Sequence, residues 1–153
     1  MLVLRDVILV GLSHRTNAAG AAALEAALGG ARRVVPVRVP EALHLKSLLS
    51  ALDGDAVLVH DRAVGGASLA AHVEEAVRAA GGDAARLEFV PVPEMLAANA
   101  LRVGNTLIGQ GGDRARAVLR AAAEVRGLEL DWVDMSETAK MDGALTCCSI
   151  LLS

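Results

Sequence analysis

The sequence predicts a single-domain α/β fold, and three observations carry that prediction. Strand and helix patterns alternate along the whole chain, the apolar residues are aliphatic, and one short turn sequence recurs after successive strands. With 153 residues the chain can bury one hydrophobic core but not two independent ones, so residues 1–153 read as one domain. The hydrophobic fraction is 54%, yet Phe89 and Trp132 are the only aromatic side chains and tyrosine is absent. The interior must therefore be built from Leu, Val, Ile and Ala, a stock that suits helices laid on sheets.

Taken in order, β-branched runs bounded by Gly, Asp and Pro predict strands, and apolar spacings of three and four predict helices. The first unit reads as a strand over 7–11, an alanine-rich helix over 17–28 and a strand over 33–39. In the second, a strand over 56–60 leads to a helix over 67–79 and a strand over 87–92. The third has a strand over 106–109, a helix over 114–125 and a strand over 128–133. Gly104-Asn105 has the composition of a tight hairpin turn. Gly109-Gln110-Gly111-Gly112 is a loop before the third helix without the spacing that cradles a phosphate. Val39-Pro40-Glu41 recurs as Val92-Pro93-Glu94 and more loosely as Met135-Ser136-Glu137, so each final strand runs into a short acidic turn. Repeats of about fifty residues accompany propellers and solenoids; here each repeat would bring its own helix.

A net charge of −3 and a pI near 5.8 leave no basic footprint for nucleic acid. The apolar stretches are broken by charge or Gly before the roughly 18–20 residues of a membrane span, and the Arg5-Asp6 pair interrupts the N-terminal segment where a secretory signal would be apolar. Cys147 and Cys148 are the only cysteines and are adjacent. A bond between neighbours closes a strained ring, so both are expected as free thiols, with a cytoplasmic setting.

Met141-Asp142-Gly143-Ala144-Leu145-Thr146-Cys147-Cys148-Ser149 is the segment richest in chemistry. It predicts a Gly-containing turn that delivers both thiols to the start of a buried strand running into Ile150-Leu151-Leu152. On an alternating strand the two cysteines face opposite sides, one in the core and one toward a cavity; the sequence leaves open which. His44, between Leu43 and Leu45 after the first Val-Pro-Glu turn, is a candidate partner for a thiol. A Cys–His pair far apart in sequence is the ordinary form of a thiol catalyst, because the fold supplies the proximity. His14, His60 and His72 compete, with His60 heading a loop and His72 beside Glu74 and Glu75 on a helix. Adjacent thiols do not share a tetrahedral ion easily, and no Cys-x-x-Cys spacing occurs, so a structural zinc site is excluded. Arg15, just past a strand end, could clamp a carboxylate through two parallel hydrogen bonds, while Thr16 or Asn17 suits the N-cap of the following helix.

Together, Val10-Gly11-Leu12-Ser13-His14-Arg15-Thr16-Asn17, Leu43-His44-Leu45-Lys46-Ser47 and the Met141–Ser149 segment resemble the dimethylarginine dimethylaminohydrolases of the pentein (amidinotransferase/deiminase) superfamily. The resemblance covers essentially the whole chain. It implies a partial propeller of ββαβ modules, about three of them plus a closing C-terminal strand. It also implies hydrolysis of Nω-methylated arginine to citrulline and a methylamine, with no metal or organic cofactor. By position, Cys147 would be the nucleophile, His44 the acid–base residue, Arg15 the clamp on the substrate carboxylate, and Met141 a main-chain carbonyl for the substrate amino group. A related arginine-type deiminase or amidinotransferase, or an inactive propeller module, are the rival readings. The family's acidic residues that hold the guanidinium lie upstream of Leu2. The chain is therefore expected to be a piece of a longer protein, a product begun at an internal methionine, or half of a split assembly. Alone, it is expected to bind substrate poorly and turn over little, and its bare sheet edges would favour association between copies.

Overall fold

The computed structural model describes residues 1–39, 42–60, 63–64 and 66–150. Three small sheets of the same design follow one another along the chain. In the first, β1 (Leu2–Val3) pairs antiparallel with β2 (Val7–Leu12), helix α1 (Ala18–Ala27) crosses over, and β3 (Arg33–Arg38) returns parallel to β2. In the second, β4 (Leu49–Ala51) and β5 (Ala56–Val59) form the antiparallel pair. A small hairpin follows, β6 (Ala63–Val64) with β7 (Ala67–Ser68), then α2 (Leu69–Ala79), and β8 (Glu88–Pro91) lies parallel to β5. After a short helix α3 (Met95–Ala98) comes the third, with β9 (Leu101–Val103) and β10 (Thr106–Gly109) antiparallel, α4 (Asp113–Val125) crossing over, and β11 (Glu129–Trp132) parallel to β10. A last short helix, α5 (Ser136–Ala139), precedes a 3-10 turn over Leu145–Cys148.

Each module is thus ββαβ, and the nine strands and helices read from sequence are all present within a few residues of their expected limits. The entering strands β1, β4 and β9 escape a sequence reading because two or three residues are too short to display alternation. Helix α2 begins at Leu69, not at residue 67, because Ala67 and Ser68 belong to the β7 edge and Ser68 is the N-cap, its hydroxyl accepting from the Ala71 N–H at 3.2 Å. Asn17 caps α1 in the same way, with Oδ1 accepting from the Gly20 N–H at 2.9 Å.

Strand alternation decides how the modules stack. On β5, Val57 and Val59 point into a core shared with the first module, while Ala56 and Leu58 point into a core shared with the third. The first core sets Val73 and Val77 of α2 against Leu9, Val35 and Val37, so α2 lies between its own sheet and the preceding one. The second sets Ala115, Leu119 and Ala122 of α4 between Leu58 and Leu107, repeating the arrangement one module later. A smaller cluster, Ile8, Val10 and Val34 with Ala21, seats α1 on the outer face of the first sheet. Each fully buried Leu or Val is worth about 1.5–3 kcal/mol, and both shared cores are aliphatic save for the partly buried Phe89 and Trp132 at their margins.

The structure corrects the placement of the thiols. Cys147 and Cys148 were expected at the head of an alternating strand; they stand instead on the 3-10 turn, and both are exposed. Their amides are bonded locally, each donating to the Ala144 carbonyl at 3.0 and 3.2 Å, and so are unavailable to a strand ladder. The remainder of the expected closing strand, residues 151–152, lies outside the described residues, as does most of the first Val-Pro-Glu turn.

Candidate active site

Within each module the crossover strands are parallel, and the segments that follow β2, β3, β8 and β11 converge on a cleft of about 540 Å³. Arg15 arrives from the loop after β2. Leu43, His44 and Ser47 come from the turn after β3, Met95, Leu96 and Asn99 from α3 after β8, and Ala139, Asp142, Gly143 and Cys147 from the segment after β11. Open α/β sheets bind ligands beyond their strand C-termini for this reason: loops from several strands meet there.

His44 is exposed and is the extended residue that opens a 3-10 turn over Leu45–Ser47. The turn is pinned from beneath by Leu45, 2% exposed, which packs over Gly11. A Cβ at Gly11 would come within 2.8 Å of the Leu45 Cβ and 2.9 Å of Val39 Cγ2, so glycine is needed there for the turn to sit on the end of β2. Arg15 is exposed on a tight loop in which the Ser13 hydroxyl accepts from the Arg15 N–H at 3.1 Å and donates to the Leu43 carbonyl at 3.1 Å. That serine joins the arginine loop to the histidine turn.

Cys147 is carried by the turn after Gly143, where Asp142 adopts φ 57°, the left-handed region that side chains other than glycine seldom occupy. Met141 is 85% exposed, and its neighbours Asp142 and Gly143 line the cleft while it does not. Cys148 also stands apart from the cleft lining. So do the competing histidines: His14 is exposed, His72 lies on α2, and the His60 Nδ1 approaches the Val92 carbonyl at 3.4 Å. The structure therefore brings Arg15, His44 and Cys147 to one cleft and leaves the Met141 side chain outside it.

Asn99, Ser47 and Asp142 also line the cleft and were not anticipated. Asn99 had a sequence signal, because it follows the second Val-Pro-Glu turn much as Lys46 follows the first. Asp142 is the one carboxylate among the described lining residues. A larger cavity, about 640 Å³, lies on the other side of the same turns and is lined by Arg5, Arg32, Lys46, Arg102, Asp53 and Thr146 among others. Volume alone would favour it, but it contains neither a thiol nor an imidazole, so the smaller cleft is the candidate for chemistry. Among the described residues, no group of three or more His, Cys, Asp or Glu side chains is arranged to hold a metal ion, and no helix is long and apolar enough to cross a membrane.

Comparison with known proteins bears on the family and the fold. Residues 1–125 match the arginine deiminase family. An N(G),N(G)-dimethylarginine dimethylaminohydrolase of Streptomyces coelicolor is 33% identical over 99% of this chain and 52% of its own length. An uncharacterised protein of Bacillus subtilis, YkgA, is 29% identical over 96% of this chain and 48% of its own length. The chain thus spans about half the length of the curated relatives it matches. Among solved structures, the dimethylarginine dimethylaminohydrolase of Pseudomonas aeruginosa, complexed with citrulline, superposes with a TM-score of 0.70 at 26% identity, over 95% of this chain and 51% of the other. An amidinotransferase from Microseira wollei shares the fold, with a TM-score of 0.70 at 18% identity over 92% of this chain and 42% of the other. With its ββαβ modules and the matches across nearly its whole length, the chain belongs to the arginine deiminase family and is a dimethylarginine dimethylaminohydrolase-like member of the pentein superfamily.

Proposed function

We propose that this chain carries the thiol and imidazole of a site that hydrolyses Nω-methylated arginine to citrulline and methylamine or dimethylamine. The observation that carries the reading is that Cys147, His44 and Arg15, from three separate turns, line one cleft. Arg15 would grip the substrate carboxylate and direct the guanidinium toward the sulfur. A bound guanidinium favours the thiolate, which is the reactive form. The thiolate attacks the guanidinium carbon, forming a C–S bond. The tetrahedral adduct then loses its methylated amine as protonated His44 donates to the departing nitrogen. The product of that step is a cationic S-alkyl thiouronium. Neutral His44 next takes a proton from water as the oxygen adds to carbon, and collapse expels the thiolate and releases citrulline and one proton. No step calls for a cofactor. Met141 would contribute its main-chain carbonyl to the substrate amino group, the part the family resemblance assigns to it.

Asp142 offers the cleft little negative charge against a guanidinium, and burying a cation without carboxylate partners costs several kcal/mol. Weak substrate binding and slow turnover by the chain alone are therefore part of the proposal. An arginine-type deiminase is the second reading, favoured by the family that residues 1–125 match. The deciding experiment is alkylation by chloroacetamidine, mapped by mass spectrometry, with citrulline formation from dimethylarginine and from arginine followed in parallel. The expected result is an adduct on Cys147 in preference to Cys148, slowed by dimethylarginine and abolished in Cys147→Ser. Citrulline from arginine alone would support the deiminase. A folded chain whose two cysteines react alike would remove the catalytic reading and leave a binding or assembly module.

A further inference from the structure

Asn99 belongs to neither of the turns that carry the thiol and the imidazole, yet its side chain is bonded to both. It is 3% exposed, at the C-terminal end of α3 on the wall of the cleft. One hydrogen of its Nδ2 goes to the Lys46 carbonyl at 2.8 Å, and the other goes to Thr146 Oγ1 at 2.9 Å. Its Oδ1 accepts from the Thr146 N–H at 3.0 Å. Reversing the amide would set its oxygen against the Lys46 carbonyl and its NH₂ against the Thr146 N–H, so the partners dictate its orientation. The Asn99 carbonyl in turn accepts from Nε2 of Gln110, itself 1% exposed, at 2.9 Å. A buried chain of amides thus runs from the loop before α4, through Asn99, to the turn after the first module and to the C-terminal turn.

Those two turns need an outside support. They are 3-10 segments of three and four residues, and neither N-cap residue, His44 or Ala144, makes a side-chain capping bond. Short 3-10 turns have poor hydrogen-bond geometry and little stability of their own. Lys46 lies two residues after His44, and Thr146 one residue before Cys147. We infer that Asn99 is a positioning residue: its buried carboxamide sets the separation and register of the His44 and Cys147 turns and thereby controls how the thiol meets an amidine. The inference rests on the reading of Cys147 as the nucleophile. Asn99 acts through the two turns, by holding the peptide units next to the reacting groups, and a displacement of about an ångström at such groups is enough to cost a hundredfold in rate.

The test follows the rate of Cys147 alkylation against pH, in the whole chain carrying Cys148→Ser, with cationic chloroacetamidine and with neutral iodoacetamide. Asn99→Ala is expected to slow chloroacetamidine by roughly tenfold or more, to shift the pH profile, and to bring its rate toward that of iodoacetamide. Thr146→Val, which removes only the hydroxyl acceptor, is expected to slow it by a smaller factor, and Thr146→Ser to restore the parent rate. An Asn99→Ala chain with the parent circular dichroism, rate and pH profile overturns the inference. Should Asn99→Ala fail to fold, the Thr146 pair decides, because equal rates for valine and serine overturn it as well. A parent chain in which Cys147 shows no preference for chloroacetamidine over iodoacetamide defeats the nucleophile reading first, and this inference with it.

Discussion

Arg126 shows how much a single residue contributes to joining the modules. It sits at the C-terminal end of α4 with only 12% of its side chain exposed, and it reaches back to the second module. Its Nε donates to Asp53 Oδ2 at 3.2 Å, and a second guanidinium nitrogen meets Glu88. Burial raises the Asp53 carboxyl, but the backbone N–H groups of Asp55 and Ala56 and the Arg126 guanidinium outweigh it, holding the group below its ordinary value of 3.8. A depressed folded value means stability that is fully present above the ordinary carboxylate range and lost as pH falls through the folded value. Asp53→Asn keeps acceptors for the two N–H groups but loses the charge. It is expected to lower stability at neutral pH by about 1 kcal/mol or less, given its partial exposure. That deficit should vanish in urea titrations run well below pH 4. A deficit independent of pH would mean that packing, not charge, holds this corner.

At the scale of elements, the turn that bears His44 depends on the close approach of Leu45 to the end of β2. Gly11→Ala is expected to cost about 1–3 kcal/mol, typical of forcing a methyl into a packed site. It should also displace His44 relative to Cys147, lowering chloroacetamidine labelling more than iodoacetamide labelling. Thermal unfolding and the two labelling rates together check it. The same elements explain what a sequence can and cannot reveal. The crossover helices and the parallel strands were legible because Val57-Leu58-Val59 and the Val73, Val77 spacing write their periods over enough residues. The residues of the cleft were legible in a different way: the segments around Arg15, His44 and Cys147 resemble a family, although spacing alone left the choice between the two cysteines open. What escaped was set by long-range bonds. Nothing local announces that Cys147 leaves the strand conformation, because the Asn99 amide that grips Thr146 comes from residues far away in the chain. Strands of two or three residues such as β1 and β9 carry too little pattern to stand out from loop.

Over the whole molecule, the stacking of sheets and helices predicts an order of stability. Helix α1 buries only Ala21 and lies on one sheet, whereas α2 and α4 are each covered by two. Hydrogen exchange followed by mass spectrometry is therefore expected to show α1 opening first, with low protection, and α2 and α4 opening last, near the global unfolding free energy. Equal protection in all three helices would contradict the layered description.

The cleft inherits a vulnerability from where its walls come from. Because most of its lining comes from the tails of three different modules, a methyl group gained or lost at the two aliphatic seams between modules is expected to move those walls against one another, as a shim acts on a hinge. Substitutions at Leu58 or Leu119, neither of which lines the cleft, therefore belong to the same structural neighbourhood as those on its rim, and the positions that shape the cleft extend well beyond the residues a ligand could touch.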